Sequence, residues 1–199
     1  MTVFVKICGL RDAETVAVAI AAGADAVGFV FAESPRQVSV NEASEAARNV
    51  PADVKRVAVM RHPSQEDWEA VRDGFAPDVL QTDAGDFANL DIPSRIAKWP
   101  VIREGGAAAA GPIPAVFVYE GPVSGAGETV SWSNAARLAG QGRMILAGGL
   151  DADNVATAIR EAQPWGVDVS SGVESAPGQK DMEKIRQFIG AARAAEIEG

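Results

Sequence analysis

The stretch FVKICGLRDAETVAVAIAAGADAVGFVF, residues 4–31, places a helix between two short apolar runs. Val3–Ile7 is predicted as a strand, Ala13–Ala22 as a helix that ends at Gly23, and Ala26–Phe31 as the next strand. Neither strand alternates cleanly between apolar and polar residues, which is typical of a parallel sheet covered by helices. The stretch therefore predicts a β-α-β unit with parallel strands.

The same alternation continues along the chain. Further strands are predicted at Arg56–Met60, Asp78–Gln81, Val101–Arg103, Ala115–Tyr119, Met144–Ala147 and Val167–Ser170. Further helices are predicted at Val40–Asn49, Gln65–Asp73, Phe87–Lys98, Trp132–Leu138, Ala152–Glu161 and Asp181–Ala195. Eight strands that alternate with helices indicate an α/β protein with a single (β/α)₈ TIM-barrel domain over residues 1–199.

Two connections depart from this pattern. The segment EGGAAAAGPIP, which follows Arg103, is too short and too rich in Gly and Pro for a full helix, so we expect a shortened fifth helix segment. Pro93 lies inside the predicted helix Phe87–Lys98 and disturbs it.

Composition disfavours several classes of function. The chain has 199 residues and a net charge of −9, which disfavours nucleic acid and anionic membranes as partners because both require clustered Lys and Arg. No apolar run approaches the roughly 18 residues of a membrane span, and the N-terminus has no signal-peptide pattern. A single cysteine excludes an intramolecular disulfide. We expect a cytoplasmic protein, either a monomer or a homodimer.

The active site of such a barrel lies at the carboxyl ends of the strands. Cys8 directly follows the first strand. It is either a small buried apolar residue or a thiolate base or nucleophile with access to substrate. His62, the only histidine, follows the third strand, where a pairing with Cys8 is possible but simple exposure is more common. Other polar residues at strand ends are Arg36, Gln81, Tyr119, Glu120, Asp168, Ser170 and Ser171.

Two glycine-rich turns follow the last two strands. LAGGLDADNV contains Gly148 and Gly149, and VDVSSGVESAPGQKD contains Ser171 and Gly172. Glycines let backbone N–H groups approach an anion, and the loops after strands seven and eight form the recurrent phosphate site of TIM barrels. Each turn alone is also explained by tight chain reversal, but together they favour a phosphate site. Arg36 is either a carboxylate clamp or a solvated surface arginine.

The motifs VKICGL, AGADAVGFVFAESPRQVS, LAGGLDADNV and VDVSSGVESAPGQKD resemble the phosphoribosylanthranilate isomerase family of tryptophan biosynthesis. The resemblance is close over residues 3–40 and 144–189 and thin between them. It implies an Amadori rearrangement of N-(5-phosphoribosyl)anthranilate, a phosphorylated small molecule, without metal or cofactor.

The resemblance also implies roles for individual residues. Cys8 is expected to be the general base, and Arg36 to hold the anthranilate carboxylate. Asp168 is expected to bind the ribose hydroxyls or to order the site, and Gln81 is retained from the family's strand-four motif. Gly148, Gly149, Ser171 and Gly172 match the phosphate-binding turns.

Three positions depart from the family pattern. The aspartate expected at the end of strand six as general acid is replaced by Tyr119 or Glu120, and we prefer Glu120 because a phenol is a much weaker acid. QLHG of strand four is QTDAG here, and the acidic residue of FDW is Ser131. The alternatives are therefore an isomerase for a related aminoribosyl phosphate, or a phosphate-ligand-binding barrel that has lost catalysis.

Overall fold

The computed structural model describes residues 2–106, 113–122 and 129–195. Eight parallel strands close into a barrel in chain order, and strand eight pairs back onto strand one. The barrel strands are β1 Phe4–Cys8, β2 Ala26–Val30, β3 Lys55–Val59, β4 Val79–Asp83, β5 Ala97–Arg103, β6 Val116–Glu120, β7 Arg143–Leu146 and β8 Gly166–Val169. This closed barrel confirms the fold class predicted from the sequence.

Six α-helices surround the sheet within the described part of the chain. They are α1 Ala13–Ala21, α2 Val40–Ala46, α3 Gln65–Phe75, α4 Trp132–Ala139, α5 Val155–Ala162 and α6 Met182–Ala194. Polar side chains start several of them: Ser39 and Ser64 each form a reciprocal capping box with an acidic residue three positions later. The helices therefore begin where the local sequence satisfies their first backbone N–H groups.

Side chains alternate between two apolar layers. The barrel interior holds Ala26, Val57, Val79, Trp99, Val101, Val118, Ile145 and Ala147. The larger layer, between sheet and helices, takes the intervening residues, such as Val5 and Ile7 of β1. Because neighbouring strand residues point to opposite faces, this alternation decides which side chains reach the barrel mouth.

The sequence prediction was wrong for the helix expected between β4 and β5. Phe87–Lys98 is not an α-helix: a 3₁₀ helix spans Ala84–Asn89, and β5 already begins at Ala97. Pro93 supplies no backbone N–H and disfavours the helical conformation of the residue before it, so helix cannot extend through this segment.

Two further features concern connections. The shortened fifth segment falls largely on residues 107–112, which lie outside the described residues. After β8 the chain forms a small antiparallel hairpin, β9 Glu174–Ala176 with β10 Gln179–Lys180, that the sequence did not predict. Within the described ranges, no helix is both long and apolar enough to cross a membrane.

Candidate active site

A cleft of about 490 Å³ opens at the carboxyl ends of the barrel strands. This volume falls within the range of small-molecule sites. Eight of the nine site residues predicted from the sequence line it: Cys8, Arg36, Gln81, Glu120, Gly148, Gly149, Asp168 and Ser171. The ninth, Gly172, packs against the backbone of the loop after β7. Residues that are far apart in the chain are thus brought together by barrel closure.

Cys8 ends β1 with its side chain toward the barrel interior and is only 7% exposed. A Cβ atom added at Gly28 of β2 would lie 3.1 Å from the Cys8 sulphur, so the glycine leaves the space that the thiol occupies. Burial raises the pKa of the Cys8 thiol, and the positive charge of Lys6 opposes this shift. The thiol therefore lies inside the cleft wall in its neutral form at neutral pH.

Lys6 precedes Cys8 by two positions and shares its face of β1. Its side chain is 0% exposed, and Nζ lies 2.7 Å from Oδ2 of Asp168 on the neighbouring strand β8. Burial alone would lower the pKa of Lys6, but the interactions with Asp168 and with Cys8 together outweigh it and the pKa is raised. Lys6 was not predicted as a site residue. The sequence feature that could have indicated it is a lysine two positions before Cys8 in an otherwise apolar strand, which places both side chains on one face.

The last two residues of β6 point in opposite directions. Glu120 lines the cleft, on the same face as the interior residue Val118. Tyr119 is buried in the layer between sheet and helices, and its hydroxyl donates to Glu104 at 3.2 Å. Burial is the main cause that raises the pKa of Tyr119 to about 12. Of the two, Glu120 alone presents an acidic group to the cleft.

Arg103, at the end of β5, connects two carboxylates of the cleft wall. Its Nη2 lies 2.7 Å from Asp83 at the end of β4, and its Nη1 lies 2.5 Å from Glu120 at the end of β6. Asp83 occupies the third position of QTDAG, where the family resemblance leads one to expect histidine. Asp83 and Glu120 are both acidic residues at positions that depart from the family pattern, and the Arg103 guanidinium joins them.

His62 belongs to a cluster at the edge of this cleft wall. Its imidazole is 64% exposed and lies between two carboxylates, with Nδ1 3.0 Å from Asp86 and Nε2 3.4 Å from Asp83. Ligand atoms of these three residues lie within 4.8 Å of one another. Because both ring nitrogens face carboxylates and Asp83 also binds Arg103, we interpret the cluster as a polar network. His62 therefore pairs with Asp83 and Asp86 and not with Cys8, the partner that the sequence had left open.

Arg36 is held by a residue that the sequence did not indicate. Its Nε and Nη2 donate to the two carboxylate oxygens of Glu174 in β9, at 2.7 and 2.9 Å. The side chain of Arg36 passes over Gly9, where an added Cβ would lie 2.8 Å from its Cδ. Arg36 is thus oriented beside Cys8 rather than solvated at the surface.

Lys180 of β10 lies beneath the loop that follows β8. The buried ammonium donates to Glu174 at 2.8 Å and to the backbone oxygen of Ser170 at 2.8 Å. These contacts tie the β9–β10 hairpin to the mouth of the barrel. Lys180 belongs to the sequence PGQKD, which contributed to the family resemblance but did not predict the contact with Glu174.

The two glycine turns pack directly against each other. Gly148 and Gly149 adopt positive φ values of 94° and 61°. Gly172 approaches the loop after β7 so closely that an added Cβ would lie 2.0 Å from the backbone oxygen of Leu150. Asn154 donates to the Gly149 carbonyl at 2.8 Å and holds that turn from the side. Positive φ and close approach both require glycine here, which leaves the backbone of both turns accessible to a ligand.

Two acceptors in the cleft wall lack a hydrogen-bond partner among the described residues. They are Oε1 of Gln81 and Oδ1 of Asp168, both buried. Unpaired buried acceptors are costly, so this pair favours a ligand that brings hydroxyl or amine donors.

Comparison with known proteins identifies relatives over nearly the whole chain. The family model described as N-(5'-phosphoribosyl)anthranilate (PRA) isomerase matches residues 5–191. A curated N-(5'-phosphoribosyl)anthranilate isomerase of Listeria monocytogenes is 40% identical, over 96% of this chain and 99% of its own length.

Solved structures agree with the curated relatives. The phosphoribosyl anthranilate isomerase of Thermotoga maritima superimposes with a TM-score of 0.81 and 29% identity, over 96% of this chain and 98% of that one. Another phosphoribosyl anthranilate isomerase, solved with reduced 1-(o-carboxyphenylamino)-1-deoxyribulose 5-phosphate, has a TM-score of 0.76 and 29% identity, over the same shares of the two chains.

Proposed function

Because the chain belongs to the N-(5'-phosphoribosyl)anthranilate isomerase family, we propose that it converts N-(5'-phosphoribosyl)anthranilate into 1-(2-carboxyphenylamino)-1-deoxyribulose 5-phosphate in tryptophan biosynthesis. The observation that carries the proposal is that Cys8, Glu120 and the two glycine turns meet in one cleft. This arrangement supports a base, an acid and an anion site within reach of one small phosphorylated ligand.

The chemistry needs proton transfers and no redox partner. The ribose ring oxygen takes a proton as the bond between C1 and that oxygen breaks. The nitrogen lone pair forms a C1=N double bond in place of the broken bond, and C2 then loses its proton to give an enol. C1 gains a proton as the hydroxyl on C2 loses its own and becomes the ketone. The oxidation of C2 balances the reduction of C1, so the isomerisation requires no cofactor.

The two proton transfers at the ring oxygen and at C2 each have a candidate residue in the cleft. Glu120, in its acid form, donates the proton to the ring oxygen, and Cys8 removes the proton from C2 as a thiolate. Positioned acids and bases of this kind contribute about 10²–10⁴-fold each to the rate. Arg103 directs the Glu120 carboxyl group into the cleft.

Binding uses the remaining polar groups. Arg36, oriented by Glu174, pairs with the anthranilate carboxylate through its remaining donors. The unpartnered acceptors of Gln81 and Asp168 receive hydrogen bonds from the ribose hydroxyls. Gly148, Gly149, Ser171 and Gly172 hold the phosphate through backbone N–H groups.

Two further expectations stay predictions. The cytoplasmic location rests on the sequence alone. A monomer and a homodimer are both compatible with the fold, and one similar structure is that of monomers generated from the dimeric enzyme of Thermotoga maritima.

Turnover of N-(5'-phosphoribosyl)anthranilate by the purified protein, followed by fluorescence, tests the function. We expect Cys8→Ala and Glu120→Gln to lower kcat by about 10²–10⁴-fold. Tyr119→Phe is the matched control: it lies on the same strand but faces the helices, so its turnover should stay close to that of the parent protein. Unchanged kcat in Cys8→Ala would refute its role as base. Parent protein that binds the reduced product analogue without turnover would instead support the catalytically lapsed barrel.

A further inference from the structure

Lys6 is a buried cation in the barrel interior, next to Cys8 and Asp168 of the candidate site. Its side chain has no exposure to solvent, and the residue does not line the cleft. Lysine is almost never fully buried unless it is paired, and the pair here is Asp168 at 2.7 Å. An apolar residue at this position would fill the barrel interior without the cost of burying charge, so the ammonium is retained for a reason other than packing.

The ammonium of Lys6 and the sulphur of Cys8 converge on the same point. A Cβ atom added at Gly28 would lie 3.2 Å from Lys6 Nζ and 3.1 Å from Cys8 Sγ. The two side chains leave β1 on the same face, two positions apart, and Gly28 of β2 provides the common space. Gly28 therefore lets both groups occupy one small volume inside the barrel.

We propose that Lys6 is a positioning residue that stabilises the Cys8 thiolate, and that Asp168 competes with the sulphur for the same ammonium. The proposal deepens the proposed function and rests on it, since a thiolate at Cys8 is useful only if Cys8 is the base. Lys6 acts through Cys8 and does not touch the substrate.

The charges around Cys8 are consistent with this competition. Burial raises the pKa of the thiol, Lys6 and Lys180 lower it, and Asp168 raises it. Arg36 also faces Cys8 from the loop after β2; hydrogen bonds to Glu174 are the main cause that raises the pKa of Arg36, and Cys8 adds to them. In the free protein, Asp168 accepts from Lys6 through one oxygen, while its second oxygen has no partner in the described part of the chain.

Substrate binding would then change the balance. A hydroxyl that donates to Oδ1 of Asp168 disperses the carboxylate charge and weakens its hold on Lys6. The ammonium then stabilises negative charge on the sulphur more strongly. The base becomes active when the ribose is in place, which limits unproductive thiolate chemistry in the free protein.

Titration of the thiol tests the proposal without any isomerase assay. Because Cys8 is the only cysteine, thiolate absorbance in the far ultraviolet and alkylation by iodoacetamide both report this one group. We expect Lys6→Met to move the titration midpoint upward by about one to three pH units. Asp168→Asn should move it downward, because the competitor for the ammonium is removed.

A matched control and a second variant keep the test decisive. Lys98→Met makes the same change at an exposed position of β5 and should leave the midpoint unchanged. If Lys6→Met fails to fold, Lys6→Met combined with Asp168→Asn removes both charges of the pair, and its midpoint should lie above that of Asp168→Asn alone. A midpoint in Lys6→Met equal to that of the parent, or an upward shift in Asp168→Asn, would overturn the proposal.

Kinetics separate this inference from the proposed function. Lys6→Met should lower kcat while KM changes little, because Lys6 is outside the cleft lining. If Cys8→Ala retains full turnover, the proposed role of Cys8 fails whatever the thiol titration gives. If Cys8→Ala loses turnover but Lys6→Met titrates like the parent, only the role of Lys6 fails.

Discussion

Arg36 and Glu174 face each other through two parallel hydrogen bonds, although they are separated by most of the chain. Glu174 also accepts from Lys180, and its side chain is almost fully buried. A planar guanidinium gripped in this way has one orientation, so the cleft presents it to a ligand without rearrangement. We therefore expect recognition of an anionic ligand by Arg36 to depend on a residue outside the cleft.

We expect Glu174→Gln to raise KM by about tenfold, which corresponds to about 1.4 kcal/mol of binding free energy. Gln offers one acceptor oxygen in place of two, so the guanidinium loses its fixed orientation while the shape of the side chain is kept. Steady-state kinetics measure the effect, and kcat should change much less than KM. Glu66→Gln, an exposed change on α3, is the control. An unchanged KM in Glu174→Gln would contradict this role.

Glu174 should also make stability depend on pH. Burial alone would raise its pKa, but hydrogen bonds from Arg36 and Lys180 outweigh burial and the pKa is lowered in the folded protein. The carboxylate therefore adds stability above the unfolded value of about 4.3, and this contribution is lost as pH falls through the lower folded pKa. In urea unfolding, the stability difference between the parent and Glu174→Gln should shrink from about pH 6 to about pH 3. A constant difference would exclude this coupling.

The Arg103 bridge between Asp83 and Glu120 predicts an effect on kcat. We expect Arg103→Met to lower kcat by about 10²-fold, because an acid displaced by about 1 Å loses its alignment with the ring oxygen. Arg103→Lys should recover part of the loss, since a charge remains without the planar fork. Arg56→Met alters a comparable pair with Asp78 at the opposite end of the barrel and should leave kcat nearly unchanged. Equal losses in Arg103→Met and Arg56→Met would point to stability alone.

The contact between the two glycine turns predicts that Gly172→Ala weakens phosphate binding. The added methyl would lie 2.0 Å from the Leu150 carbonyl, so one of the two turns must move. We expect KM to rise by at least about tenfold and unfolding free energy to fall by about 1–3 kcal/mol. Gly140→Ala is the control for both measurements, because among the described residues no atom beyond its own stretch of chain lies within 4 Å of the added methyl. Inorganic phosphate should protect the parent protein from thermal unfolding more than the Gly172→Ala variant.

The raised pKa of Cys8 predicts an alkaline limb in the rate profile. Because burial favours the neutral thiol in the free protein and the base must be a thiolate, kcat/KM should still rise with pH above the ordinary cysteine value of about 8.5. The profile of Cys8→Ala should lack this limb. A parent kcat/KM profile that is already flat below about pH 7 would contradict this prediction, whereas a kcat limb at lower pH than the kcat/KM limb would show that bound substrate lowers the pKa of the thiol.

Local patterns in the sequence were sufficient to predict much of the fold of this protein. The apolar strand runs, helix-starting polar residues and glycine turns predicted all eight strands to within a few residues, because each depends on neighbours in the chain. The same patterns placed Cys8, Gln81 and Asp168 at strand ends, which a parallel barrel gathers at one mouth. The helix predicted over Phe87–Lys98 failed because Pro93 outweighs the helical preference of the residues around it.

The contacts between site residues follow from the tertiary structure of the closed barrel and not from local sequence. The choice between Tyr119 and Glu120 depended on the register of β6, which places Glu120 in the mouth and Tyr119 against the helices. Lys6 and Asp168 meet because β8 pairs with β1, a contact that spans nearly the whole chain. Such pairs leave no local trace in sequence, since a lysine or glutamate that will be buried and paired has the same neighbours as one that will be solvated.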